Sequence, residues 1–346
     1  IDYISRVLTT RNDFEYYQEM QRFCALLKDG HTNVWMPPDM FKKNMDRLPF
    51  IMTEIDRRAI VRNVDVLLAD QVPIGTEILE IDGKPVKAMI EEDIIPLIST
   101  SAPHMYWETA VRSLSSVGAG ILFGAKGSTA HLKIQKPDGQ IETIDVPRNH
   151  YEKQVEWLAP IPRISLSEFR MLDDGVAYMA LNDFSRTEIV DEFRARLPDL
   201  AAADAIIIDL RKKGGGNSNN SSAIVGHFTS VPFKGASWRT PVNDAVSRAW
   251  GKASEKYDSL EKYKEYYFGH VYRSVEATEH QPSDGIKLTR PTLVLIGRRT
   301  ASAAEDFLIM ADGIDHLTTM GEPTHGSTGQ PLSLELPGGG SARISA

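Results

Sequence analysis

Cysteine is almost absent: Cys24 is the only one in 346 residues, so no disulfide can form within the chain. Its place in an apolar helical pattern predicts a small buried side chain. Long apolar runs are also missing. Stretches such as 205–208 and 293–296 fall far short of the roughly 20 residues a membrane-crossing helix needs. No basic run extends beyond 211–213, and the net charge of -8 comes from dispersed carboxylates, which argues against nucleic acid as a partner. No repeat is visible, and no lysine follows Lys287. The first residue is Ile1 rather than methionine, and 332–345 reads as a half-finished hairpin before Ala346, so both ends are expected to be cut from a longer chain.

What is present is ordinary globular composition, 42% apolar and 25% charged, with nothing depleted enough to leave the chain unfolded. A single core rarely organises 346 residues, so two or three structural units are expected. Apolar side chains at Phe14, Tyr17, Met20, Phe23, Cys24 and Leu27 repeat every three to four residues and predict an amphipathic helix over 12–27. Asn12 with Glu15 forms a capping-box pair, and Gly30 is a plausible stop that leaves His31 just past the helix end.

Over 57–146 the pattern changes to short β-rich runs at 59–66, 77–81, 130–134 and 141–146, divided by the turns Asp82-Gly83 and Pro137-Asp138-Gly139. Beyond 160, strand and helix patterns alternate: strands at 176–181, 205–210 and 292–296, helices at 187–200, 219–229 and 302–312. That alternation predicts α/β architecture with crossover connections. Residues 232–290 interrupt it with dense charge and aromatics. They are read as an excursion from the core, either a surface helix with a half-buried aromatic stripe or a lid or substrate-channel wall.

Two loops at the carboxyl ends of buried strands carry the candidate chemistry, because open α/β sheets place their sites there. The first is Asp209-Leu210-Arg211-Lys212-Lys213-Gly214-Gly215-Gly216-Asn217. Its glycines leave backbone N–H groups open to a negatively charged oxygen, although a structural turn would use them equally well. Neither dinucleotide nor P-loop spacing fits it. The second runs from Leu293 through Ser302 to Glu305, a strand, a turn and a helix start. The helix end favours a developing oxyanion beside Ser302, whereas Ser302 with Glu305 is also a capping box that needs no catalysis.

The segments 209–216, 300–305 and Gly321-Glu322-Pro323-Thr324-His325-Gly326 together resemble the signature of C-terminal processing (tail-specific) peptidases, over about 175–330. The stretch from Pro73 to Gly83 resembles part of a PDZ domain, the module that precedes the peptidase core in that family, but the Gly-Leu-Gly-Phe loop has no counterpart here. The resemblance implies a crotonase/ClpP-like β-α spiral core at 151–346. Ahead of it would come an N-terminal helical segment at 1–56 and a small, degenerate PDZ-like module at 57–150. It further implies that Ser302 is the nucleophile and that Gly215, Gly216 and the Ala303 amide are oxyanion donors. Asp209 and Arg211 are read as structural, holding the glycine loop. Lys213 replaces the family's asparagine.

The base departs from the family's lysine-dependent branch, because Ser327 stands where the lysine would be. The tricorn-like branch takes a histidine from an N-terminal segment, and 26–32 resembles that segment, which makes His31 the expected base and His325 its rival. His325, Ser327 and Glu305 are possible accessory residues. The serine that precedes the histidine in that branch is replaced by Gly30, and the branch's downstream glutamate is expected beyond Ala346. The implied activity is a serine endopeptidase without metal or organic cofactor, acting on peptides or unfolded proteins. An exported location is implied too, in a bacterial periplasm or as a surface lipoprotein. A non-catalytic binding protein and an acyl-CoA enzyme on the same fold are the alternatives.

Overall fold

The computed structural model describes residues 2–113, 118–212, 215–242 and 244–345, so Lys213 and Gly214 of the glycine loop lie outside the described residues. Two compact units divide the chain, one formed by 1–164 with 325–345 and the other by 165–324.

The first unit opens with two helices, Asp2–Leu8 and Asp13–Leu26, the second capped as expected by the Asn12 side chain, which accepts the Glu15 N–H at 2.9 Å. Tyr17 and Cys24 are buried on its inner face, whereas Phe23 and Leu27 are largely exposed. The helical segment expected to run to 56 gives way earlier to strands, at Asn33–Trp35, Met45–Arg47 and Phe50–Ile55. The strands Phe50–Ile55, Arg58–Val64, Glu77–Ile81, Thr129–Gln135 and Ile141–Pro147 are rich in apolar and β-branched residues. These pair in that order, antiparallel throughout, around a core that includes Val61, Ile78, Leu132 and Ile134. Helix Met105–Arg112 packs against strand Phe50–Ile55.

The unfinished hairpin proves complete: Pro331–Leu336 pairs with Gly340–Ser345. It belongs with the N-terminal helices rather than with the core at 151–346, because Gly340–Ser345 also pairs with Asn33–Trp35. The Tyr17 hydroxyl clasps its turn, donating to Pro337 O at 2.7 Å and accepting the Gly340 N–H at 3.0 Å.

In the second unit five strands lie in the order Ser167–Met171, Val176–Leu181, Ala205–Asp209, Thr292–Ile296 and Leu317–Gly321, the first pair antiparallel and the rest parallel. The near-continuous burial of Val176–Leu181 is what a parallel strand covered on both faces requires. Helices Glu188–Ala195, Ser218–Val225 and Ala303–Ala311 bring Phe193, Ile224 and Phe307 into one core with Ile206, Ile208 and Val294. The single helix expected at 187–200 is two, because Pro198 lacks the N–H that a continuous helix would use, and a second helix restarts at Leu197–Ala202. The expected helix at 219–229 is shorter, ending at Val225.

The excursion forms two small two-stranded antiparallel sheets, Phe233–Lys234 with Glu279–His280 and Trp238–Pro241 with Tyr272–Val275, and the helices Ala245–Ala253 and Lys264–Phe268. Trp238, Trp250, Tyr257, Tyr267, Phe268 and Tyr272 are exposed there.

Candidate active site

Strands Ala205–Asp209 and Thr292–Ile296 pair in parallel, with Asp209 opposite Leu295, so the loops that follow them leave the same sheet edge side by side. Thr300 ties the two together. Its buried hydroxyl donates to Leu210 O at 2.9 Å and accepts the Gly297 N–H at 3.0 Å. Sequence reading missed this stitch, since a threonine inside a turn motif does not announce its partner.

Ser302 is not the first helical residue, as the expected helix at 302–312 would have it. With φ 52 and ψ -120 it sits at the turn from which helix Ala303–Ala311 departs. Non-glycine residues rarely adopt such a backbone, which costs of order 1–3 kcal/mol and must be held by its surroundings. Glu305 supplies one hold, its buried carboxylate accepting the Ser302 N–H at 2.9 Å and the Thr324 hydroxyl at 2.7 Å. The Glu305 N–H bonds to Ser302 O at 2.7 Å, which closes the first turn. Ser221, fully buried on helix Ser218–Val225, donates to Ala303 O at 2.6 Å, and Ser218 bonds to Asp306.

The glycine loop meets this turn closely. A Cβ built on Gly215 would lie 3.7 Å from Ser302 Cβ, so the two backbones approach in ordinary contact. Gly216, at φ +146, has no room for a side chain: its Cβ would stand 2.1 Å from Phe184 C and Ser185 N. Phe184 fixes the loop through its N–H to Gly215 O at 3.1 Å and its carbonyl to the Asn217 N–H at 2.9 Å. Asp209 anchors the other side. It takes the Arg211 guanidinium at 2.8 and 3.0 Å and the Tyr178 hydroxyl at 2.7 Å. Burial opposes its charge, but the Arg211 and Tyr178 hydrogen bonds outweigh it and hold the carboxyl below the usual range. Burial first, and then the bond to Asp209, push the Tyr178 hydroxyl up to about 12. This network ties Arg211 to Asp209 at the start of the glycine loop, with Tyr178 as a partner the sequence did not suggest.

His31 belongs to the other unit. It lies between helix Asp13–Leu26 and strand Asn33–Trp35 in a turn that Asp29 caps, its carboxylate accepting the His31 N–H at 3.1 Å and the Thr32 hydroxyl at 2.6 Å. The side chain is buried, and Ser327 Oγ lies 2.5 Å from its Nδ1. His325 is close by: its Cε1 is 3.3 Å from where a Cβ on Gly30 would be, and Ser327 Oγ is 2.9 Å from that point. The structure therefore gathers Gly30, His31, His325 and Ser327 in one unit, and Ser302, Glu305, Ala303, Gly215 and Gly216 in the other.

Residues 175–346 match peptidase family S41, and residues 44–159 match a PDZ domain. A comparison with curated proteins gives no match. Among solved structures, mature CPAF complexed with lactacystin shares the fold at a TM-score of 0.70 and 16% identity, the alignment covering 99% of this chain and 82% of CPAF. Mature CPAF alone gives 0.70 and 16%, with 100% and 81% covered. Carrying a PDZ domain ahead of its S41 domain on this α/β fold, the chain belongs to peptidase family S41, a family of serine-type peptidases.

Proposed function

We propose that the chain is an endopeptidase of the histidine-dependent, tricorn-like kind, with Ser302 as nucleophile and His31 as general base. The observation that carries this reading is the strained backbone of Ser302 at a strand-to-helix turn, held by Glu305 and packed against Gly215. In the proposed cycle the His31 imidazole takes the Ser302 proton as Oγ attacks the scissile carbonyl carbon. The Ala303 amide and the Gly215 and Gly216 amides receive the oxyanion. The tetrahedral species collapses with cleavage of the C–N bond, and the imidazolium protonates the leaving amine. Water, deprotonated by His31, then attacks the acyl-enzyme, releasing the carboxylate product and restoring the serine. No metal or organic cofactor enters these steps.

The proposed substrates are unfolded polypeptides, whose C-terminal tails would add as a strand to an edge of the PDZ sheet. The resemblance to exported, PDZ-bearing members of the family favours a periplasmic or surface-lipoprotein location. No helix among the described residues is long and apolar enough to cross a membrane.

Incubation with a reduced, carboxymethylated polypeptide, followed by mass spectrometry of the fragments, tests the reading. Cleavage is expected from the wild type, none from Ser302→Ala, and a rate lower by about 1000-fold from His31→Ala. Binding without cleavage by all three would mark Ser302 as a helix cap and the chain as a binding protein.

A further inference from the structure

Ser327 stands where lysine-dependent members of the family would carry their base, yet its side chain faces a histidine 296 residues earlier in the chain. The hydroxyl lies 2.5 Å from His31 Nδ1, and the two residues are only 6% and 7% exposed. Several independent contacts enforce the approach. Gly30 admits the segment, because any larger residue there would bring its Cβ within 2.9 Å of Ser327 Oγ and 3.0 Å of Ser327 Cβ. Gly326, at φ +73, turns the chain toward the histidine, and its carbonyl takes the Ser101 hydroxyl. On the histidine side, Arg343 donates to His31 O at 2.9 Å and Asp29 accepts the His31 N–H, so the backbone carrying the ring is fixed as well.

We infer that Ser327 is a positioning residue that fixes the His31 tautomer, Nδ1–H donating to Ser327 Oγ, so that Nε2 keeps the lone pair that accepts the Ser302 proton. The inference rests on His31 being the base. A neutral imidazole has one N–H, and whichever nitrogen donates it leaves the other as acceptor. In the Ser-His-Asp arrangement a carboxylate performs this task and also stabilises the imidazolium that forms. A hydroxyl both accepts and donates, so by accepting Nδ1–H it holds this tautomer and the ring's orientation, without the charge. Near the histidine, Asp29 and Arg343 hold its backbone, and His325 lies beside Gly30. Ser327 thus performs the orienting task that the absent serine before the histidine would have done.

Two measurements on the whole protein decide this: the rate at which a fluorophosphonate labels Ser302, and the 15N chemical shifts of the His31 ring. The wild type is expected to show the Nδ1–H tautomer. Ser327→Ala should slow labelling about tenfold or more and mix the tautomers, and Ser327→Thr, which keeps the hydroxyl, should restore both. Ser327→Asp should move the acid limb of the labelling rate to higher pH by about 1 or more, because a carboxylate favours the protonated ring. Wild-type labelling and unchanged ring shifts in Ser327→Ala, with labelling lost in His31→Ala, would overturn the inference alone. Wild-type labelling in His31→Ala would overturn the base assignment and this inference with it.

Discussion

At the scale of single residues, the site depends on one backbone conformation and the groups that hold it. Ser302 sits at φ 52 and ψ -120, and Glu305 reaches back to its N–H while taking the Thr324 hydroxyl. Glu305→Ala removes the acceptor from both. The turn should then relax, lowering kcat by about tenfold to a hundredfold with KM little changed, because the lost interaction serves the geometry of attack rather than substrate affinity. Steady-state kinetics on one peptide substrate check it, and an unchanged kcat would show that Glu305 is only a cap. Ser302, Glu305 and the glycines were legible because they fall in short contiguous motifs. The Ser327–His31 pair and the Tyr178–Asp209 bond were not, since partners 296 and 31 residues apart leave no local pattern.

At the scale of elements, helix Ser218–Val225 anchors the chain as it returns from the excursion. His227, just past the helix end, contacts Ile286 O through Nδ1 at 3.0 Å and accepts the Leu288 N–H on its own carbonyl at 2.7 Å. The ring is almost wholly buried, and that burial, the largest cause, holds its pKa below the ordinary 6.5. The folded chain therefore binds fewer protons here than the unfolded chain below pH 6.5. The stability contributed by neutral His227 is complete above that pH and is lost as pH falls through the folded pKa. His150, in the other unit, is lowered by the same chief cause and steepens the dependence in the same direction. His227→Gln should lose less urea stability than the wild type between pH 7.5 and 5.5; an equal loss would contradict this account. The period and burial of single elements were legible here, including the strands at 176–181 and 292–296. The break before Leu197–Ala202 is written in Pro198, which cannot continue a helix begun upstream.

At the scale of the whole molecule, the sequence disclosed a PDZ module followed by an α/β peptidase core, and the family matches at 44–159 and 175–346 agree with that order. It did not disclose that 325–345 leaves the core and joins the N-terminal helices through the ladder between Asn33–Trp35 and Gly340–Ser345. A three-residue strand has too little pattern to be read alone, and a register between chain ends is set by tertiary packing rather than by neighbours in sequence. The same closure explains how a histidine near residue 30 and a serine near residue 327 come to share one hydrogen bond. Fluorophosphonate labelling followed by intact-mass and peptide mapping tests the central claim most directly. A single adduct on Ser302 is expected in the wild type, none in Ser302→Ala, and a rate lower by about 100-fold or more in His31→Ala. An adduct mapped to any other residue, or His31→Ala labelled as fast as the wild type, would contradict it.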